Sequence, residues 1–193
     1  MTATRKRAEK DKQSKPQDSM KLTMTAPQLL HEWRLRSFPE NVAADYTLNR
    51  VDGIDTDEIM TALMEDWYRN LLHYADIHLL NPVEIAPDCS LKKLSDRHGT
   101  ITLPEGTLRL TEIVMDGWTG SPAIITDRSS RMARLQQSPY TSGSPLSPVA
   151  VVEGLRVDIY PPAGNLISVK AIVDIPGVYA LDSAAFATIK PLQ

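Results

Sequence analysis

The side chains with the widest chemical repertoire are few and scattered. Histidine occurs at His31, His73, His78 and His98. His73 and His78 fall on one predicted helix but stand five residues apart, so their rings diverge by about 140° and miss the i, i+4 spacing of a zinc-binding helix. Cys89 is the single cysteine, which excludes an internal disulfide and a thiolate metal cage. Asp55 and Asp57 open like a calcium loop, yet the glycine at its sixth position and the glutamate at its twelfth are missing, so helix capping is their expected role. The nine glycines make neither GxGxxG nor GxxxxGK[ST], which removes support for a nucleotide-binding loop. Ser129, Ser130, Ser142 and Ser144 lack the G-x-S-x-G frame of a nucleophile elbow. Glu112, Glu153 and Asp158 are strand or turn carboxylates on which nothing else converges in the sequence. The expectation is therefore no catalytic residue, no cofactor and no metal: not an enzyme.

What remains is a set of contact-forming residues. Arg128, Arg131 and Arg134 recur every three positions, a spacing that can follow a phosphate backbone, form a solvated helix face or pair with an adjacent subunit. Ser138 to Pro148 is rich in proline and serine and carries Tyr140 and Leu146, anchors of the kind interfaces use. Arg5, Lys6 and Arg7 belong to a basic arm: residues 1 to 21 hold seven Lys/Arg against three Asp/Glu, in a chain whose net charge is -3. That arm, Lys-, Gln- and Ser-rich without apolar periodicity, is expected to be disordered by itself and suited to an acidic neighbour or to nucleic acid.

The elements that must position these residues follow from periodicity. Thr25 and Pro27 open a short helix carrying Leu29, Leu30 and Trp33. A weak alternation suggests a strand near 45–51. From Glu58 to about Leu79 the stripe Ile59, Leu63, Trp67, Leu71, Tyr74 predicts the longest helix, ended by Asn81-Pro82. Strands are predicted at 100–103, at 108–114 with a bulge near 112–114, and at 123–126, 148–152, 155–160 and 166–175. An antiparallel meander is the economical pairing. A single domain over 22–176 is expected, of α+β class, the long helix and shorter helices packed on an antiparallel sheet, with extended tails at 1–21 and 177–193. Hydrophobic residues at 42% and charged residues at 23% suit a globular protein. No apolar run approaches the roughly 18 residues of a membrane span, and the charged amino terminus lacks the apolar region of a secretory signal.

Leu103-Pro104 leads a strand to Trp118, the basic stretch Arg128 to Arg134 follows, a strand ends in Tyr160-Pro161-Pro162, and a further strand closes at Pro176. Over roughly residues 55 to 176 this arrangement resembles the neck, or head-to-tail adaptor, proteins of tailed bacteriophages, including ring proteins of phages abundant in gut bacteria. The loop Ser138 to Pro148 is longer than in the commonest version of that pattern. The resemblance implies a structural virion protein: a homo-oligomeric ring joining portal to tail, contacting other neck or tail proteins, and letting DNA pass without sequence specificity. It implies no membrane partner, and a virion location after synthesis in the host cytoplasm.

Overall fold

The computed structural model describes residues 20–37 and 56–190. The suggested strand near 45–51 lies outside them. Ten strands and three α-helices occur among the described residues: β1 (Lys21–Met24), α1 (Ala26–Ser37), α2 (Thr56–Tyr74), β2 (Val83–Glu84), β3 (Ser90–Lys93), β4 (Gly99–Thr102), β5 (Thr107–Met115), β6 (Ala123–Ile125), α3 (Arg131–Leu135), β7 (Val149–Glu153), β8 (Arg156–Tyr160), β9 (Leu166–Val173) and β10 (Tyr179–Asp182). They form three sheets, ordered β3-β4-β8-β7-β6, β2-β9-β5 and β1-β10.

The α+β expectation, a long helix on one antiparallel sheet, is thus overturned: the fold is mostly sheet. Alternation in β8 explains the central contact. Val157 and Ile159 point inward with Ile101 of β4 and Ala150 of β7, and meet Ile113 and Met115 of β5 and Val169 and Ala171 of β9 in one dry cluster between the larger sheets. β9 is sided on both faces, since Ile172 is buried in a second cluster with α1, α2 and β10. Helix and sandwich therefore share β9; of the stripe predicted on α2, Leu71 is buried and Trp67 partly so while Ile59, Leu63 and Tyr74 are exposed, and the side that is buried meets chiefly other partners.

Those partners come from the segment expected to be a tail. β10 pairs antiparallel with β1, Leu22 opposite Leu181, and a 3-10 turn follows at Ser183–Thr188. Met64, Tyr68, Leu71 and Leu72 of α2 share a buried cluster with Leu29 and Trp33 of α1 and with Tyr179, Leu181 and Phe186. The Tyr68 hydroxyl accepts from Ala180 N at 2.9 Å, and the Trp67 and Phe186 rings stack 6.3 Å apart. Burial raises the Tyr68 phenol above its ordinary value. At the start of α1, Gln28 Oε1 accepts from both the Thr25 backbone N–H and its hydroxyl, half of a capping box.

The helix predicted to reach Leu79 stops at Tyr74. Arg109 of β5 donates to the carbonyls of Ala75 (2.6 Å) and Leu72 (3.5 Å), satisfying groups a helix end leaves open. The chain then turns through a 3-10 segment at Ile77–Leu79 and buries Leu80 beside Leu181. A continued helix would carry Leu80 away from that contact.

The meander does not hold: only β3–β4 and β7–β8 pair as consecutive antiparallel strands, while β4 pairs with β8, and β5 and β2 with β9. β6 runs parallel to β7, so the connection between them is a crossover that carries α3 and the Ser138–Pro148 loop over the sheet. β5 carries three register shifts, at Thr107/Arg109, Leu110/Glu112 and Val114/Met115, the last two flanking the bulge expected near 112–114.

Candidate functional site

The outer face of the five-stranded sheet gathers several polar and titratable side chains. Cross-strand partners share a face, so Lys92, Thr100, Asp158 and Val151 form one row across β3, β4, β8 and β7. Beside Val149 and Val151 the face is apolar, and Ala133 of α3 covers it with Ile125 and Tyr160 at the edge. Toward β4 it is polar. Asp158 Oδ1 accepts from Arg156 Nε (3.0 Å) and Nη2 (2.8 Å) and from Thr100 Oγ1 (3.0 Å), and His98 Nε2 lies 3.2 Å away. Burial works to raise the Asp158 carboxyl, but these donors outweigh it and hold the group below the ordinary carboxylate range. The His98 ring stacks on Tyr160 with centroids 4.8 Å apart and planes 4° from parallel, and burial raises the Tyr160 phenol. The Tyr160-Pro161 peptide is cis.

The alternation Arg-Val-Asp-Ile-Tyr was sufficient to set Arg156, Asp158 and Tyr160 on one face; His98 and Thr100 join them through the β4–β8 register, which no local pattern specifies. Replacing Asp158 by Ala leaves Arg156 without its counter-ion and Thr100 without its acceptor. The expected cost is about 1–3 kcal/mol at neutral pH, toward the lower end because Arg156 is half exposed. A depressed carboxylate stabilises the fold above its unfolded value, about 3.9, and that contribution is lost as pH falls through the depressed value. Denaturant unfolding of both proteins should show the penalty shrinking below pH 3.9; an equal penalty at pH 7 and pH 3 would assign Asp158 no titrating role.

Above this face, α3 is short and held at both ends. Ser130 Oγ accepts from Ala133 N (3.2 Å) as its N-cap. Asp127 Oδ1 takes the hydroxyl (2.6 Å) and amide (2.8 Å) of Ser129 in a turn before it, and those bonds pull the Asp127 carboxyl down. The Ser138 to Pro148 loop that follows is pinned by hydrogen bonds. Buried Gln136 accepts from Gly143 N at 2.8 Å, Thr141 Oγ1 donates to Leu135 O at 2.6 Å, Arg97 Nη1 donates to Pro139 O at 2.6 Å, and Thr119 N donates to Pro145 O at 2.8 Å. Gly143 is required by space: a Cβ there would lie 2.3 Å from Tyr160 O.

Of the candidate residues, Arg128 is paired with Glu153 of β7. Arg131 and Arg134 are exposed on α3, with Met132 between them. Tyr140 is 95% exposed and Leu146 76% exposed, although the backbone beside each is held by the hydrogen bonds above. Arg5, Lys6 and Arg7 lie outside the described residues. Along the sandwich's other side, a cleft of about 390 Å³ separates the edges of β5 and β6, with Val114, Trp118, Pro122 and Ile124 in its walls. No helix among the described residues is long and apolar enough to cross a membrane. No known family matches this chain, and no curated protein is similar to it.

Proposed function

We propose that the chain is a non-enzymatic structural subunit that self-assembles, forming a ring in the head-to-tail connector of a tailed phage through which DNA passes without sequence reading. Portal and other neck or tail proteins would be its neighbours, and the virion its location. The supporting observation is the pair Tyr140 and Leu146. A free aromatic and a free aliphatic side chain are displayed on backbone already fixed by hydrogen bonds, so little further ordering entropy opposes their burial by a partner. The strand framing by Leu103-Pro104, Trp118 and Tyr160-Pro161-Pro162, which carries the resemblance to neck proteins, supports the same reading. In the rival reading as a small enzyme, His98 beside Asp158 would be the working pair; Arg156 and Thr100, however, occupy the same carboxylate oxygen, as a structural counter-ion requires.

Sedimentation velocity over a concentration series, with negative-stain imaging of the heaviest species, tests the proposal. The expected result is closed oligomers with a central opening. A chain that stays monomeric to the limit of its solubility would count against it.

A further inference from the structure

We propose that the outer face of the five-stranded sheet, together with α3, binds the phosphate backbone of duplex DNA without reading its sequence. This names the surface with which the connector subunit proposed above would meet passing DNA and rests on that reading for its setting, while the charge pattern that carries it belongs to the single subunit. Charge is segregated between the layers. Residues 90–102 and 123–160, which hold the five-stranded sheet and α3, contain seven Lys/Arg against four Asp/Glu, whereas the other described residues contain seven against thirteen. The whole chain stands at -3, so a basic face on it is a local arrangement and not a consequence of composition.

Strand register puts these cations on one side. Lys92 stands in the row Lys92, Thr100, Asp158, Val151, on the face away from buried Val157 and Ile159, and Ala133 of α3 packs on that same face against Val151. Arg97, in the β3–β4 turn, donates to Pro139 O just beyond α3 and so ties the turn to the helix side of the face. Lys93 is exposed on the edge strand β3, and Arg131 and Arg134 are exposed on α3. Among the described residues none of these five cations pairs with a carboxylate. Glu153 and Asp158 are already matched by Arg128 and Arg156, which leaves Asp96 and Asp127 against the five. From β3 to β7 is three strand intervals, about 14 Å, a length over which duplex DNA carries roughly eight phosphate charges. Single strands are bound through stacked aromatic platforms, and Tyr140 is the one exposed aromatic side chain in these segments. α3, five residues long and held against β7, offers no element for a groove. Both observations favour the backbone of a duplex.

Fluorescence anisotropy of a labelled duplex of mixed sequence, titrated with the full chain between about 0.05 and 0.2 M salt, tests this. The unaltered chain is expected to bind, with log K falling linearly against log salt at a slope of about -0.9 for each phosphate neutralised. Arg131→Gln with Arg134→Gln, and separately Lys92→Gln with Lys93→Gln, should each weaken binding about tenfold at the lower salt and flatten the slope by about 2. Arg69→Gln with Lys190→Gln removes the same charge from exposed positions in the other layers and should leave affinity and slope unchanged. A chain that does not bind at the lower salt, face variants that bind like the unaltered chain, a control pair that weakens binding as much, or a preference for single strands overturns the assignment. So does binding that survives the face variants and disappears on deletion of residues 1–19, which would place it in the basic arm. Sedimentation of the same variants without DNA keeps this result apart from the assembly reading. Oligomers lost in the Arg131→Gln, Arg134→Gln chain would give the face to a neighbouring subunit and overturn the DNA contact with self-assembly standing, whereas a monomer that binds DNA through this face supports the contact and counts against the ring.

Discussion

Truncation after Pro176 is expected to remove the folded state of the helices. The segment lost supplies Tyr179, Leu181, Ala185, Phe186 and Ile189 to the cluster that buries α1 and α2, and it is the strand partner of β1. Asp182 goes with it, and with Asp182 the ion pair at 3.3 Å to Lys21, whose Nζ also reaches Leu80 O at 2.5 Å. Short isolated helices are marginal in water without tertiary packing, so α1 and α2 have nothing left to hold their apolar stripes. Loss of the far-UV helical signal and of amide protection in residues 26–37 and 56–74 is the expected measurement. The strands of the sandwich, whose cluster draws nothing from residues beyond 176, are expected to keep more protection than the helices. A truncated chain that melts like the full one would mean that the segment docks without supporting anything.

Leu71→Ala carries the next largest expected effect. Leu71 is buried on the inner side of α2 among Leu29, Trp33 and Leu181. Truncating a buried leucine costs about 2–5 kcal/mol through lost transfer energy and the cavity left behind. Denaturant unfolding should show a lower midpoint with an unchanged slope. A midpoint equal to the unaltered chain's would place Leu71 in a site that collapses without cost. Tyr74, on the outward side of the same helix, is expected to leave the midpoint unmoved when replaced by alanine. The two substitutions together separate the buried side of α2 from its exposed side.

The local patterns were legible where one residue type answers to one neighbour. Val157 and Ile159 alternate with Arg156, Asp158 and Tyr160, and β8 follows within a residue of its predicted bounds. The stripe read on α2 is off by a part-turn: of Ile59, Leu63, Trp67, Leu71 and Tyr74 only Leu71 is buried, and the buried side is carried by Met64, Tyr68, Leu71 and Leu72. Nor does a stripe say against what its side packs, and that is where the fold class went astray. A leucine is equally satisfied by a sheet or by a strand and turn arriving from more than a hundred residues away. β1, four residues long and half-exposed, offers too little alternation to be seen without β10. The parallel pairing of β6 with β7 was equally hidden, since three apolar residues read the same in either direction. At the candidate site, Arg131, Arg134, Tyr140 and Leu146 were recognisable because solubility alone does not call for them together. The His98–Asp158 contact depends on register, a property of two strands at once.

The pairing of β1 with β10 also orders events in time. During synthesis Leu29, Trp33 and the inner side of α2 emerge early, yet the residues that cover them, 179–189, leave the ribosome only after the whole sandwich has been made. Through that interval the nascent chain displays an apolar surface that its own later residues are meant to occupy, and the gap lasts as long as translation of the intervening hundred or so residues, on the order of ten seconds. Crowding of such chains on one messenger brings those surfaces close together. β10 is thus the latch on α1, and any delay in its arrival favours aggregation over closure.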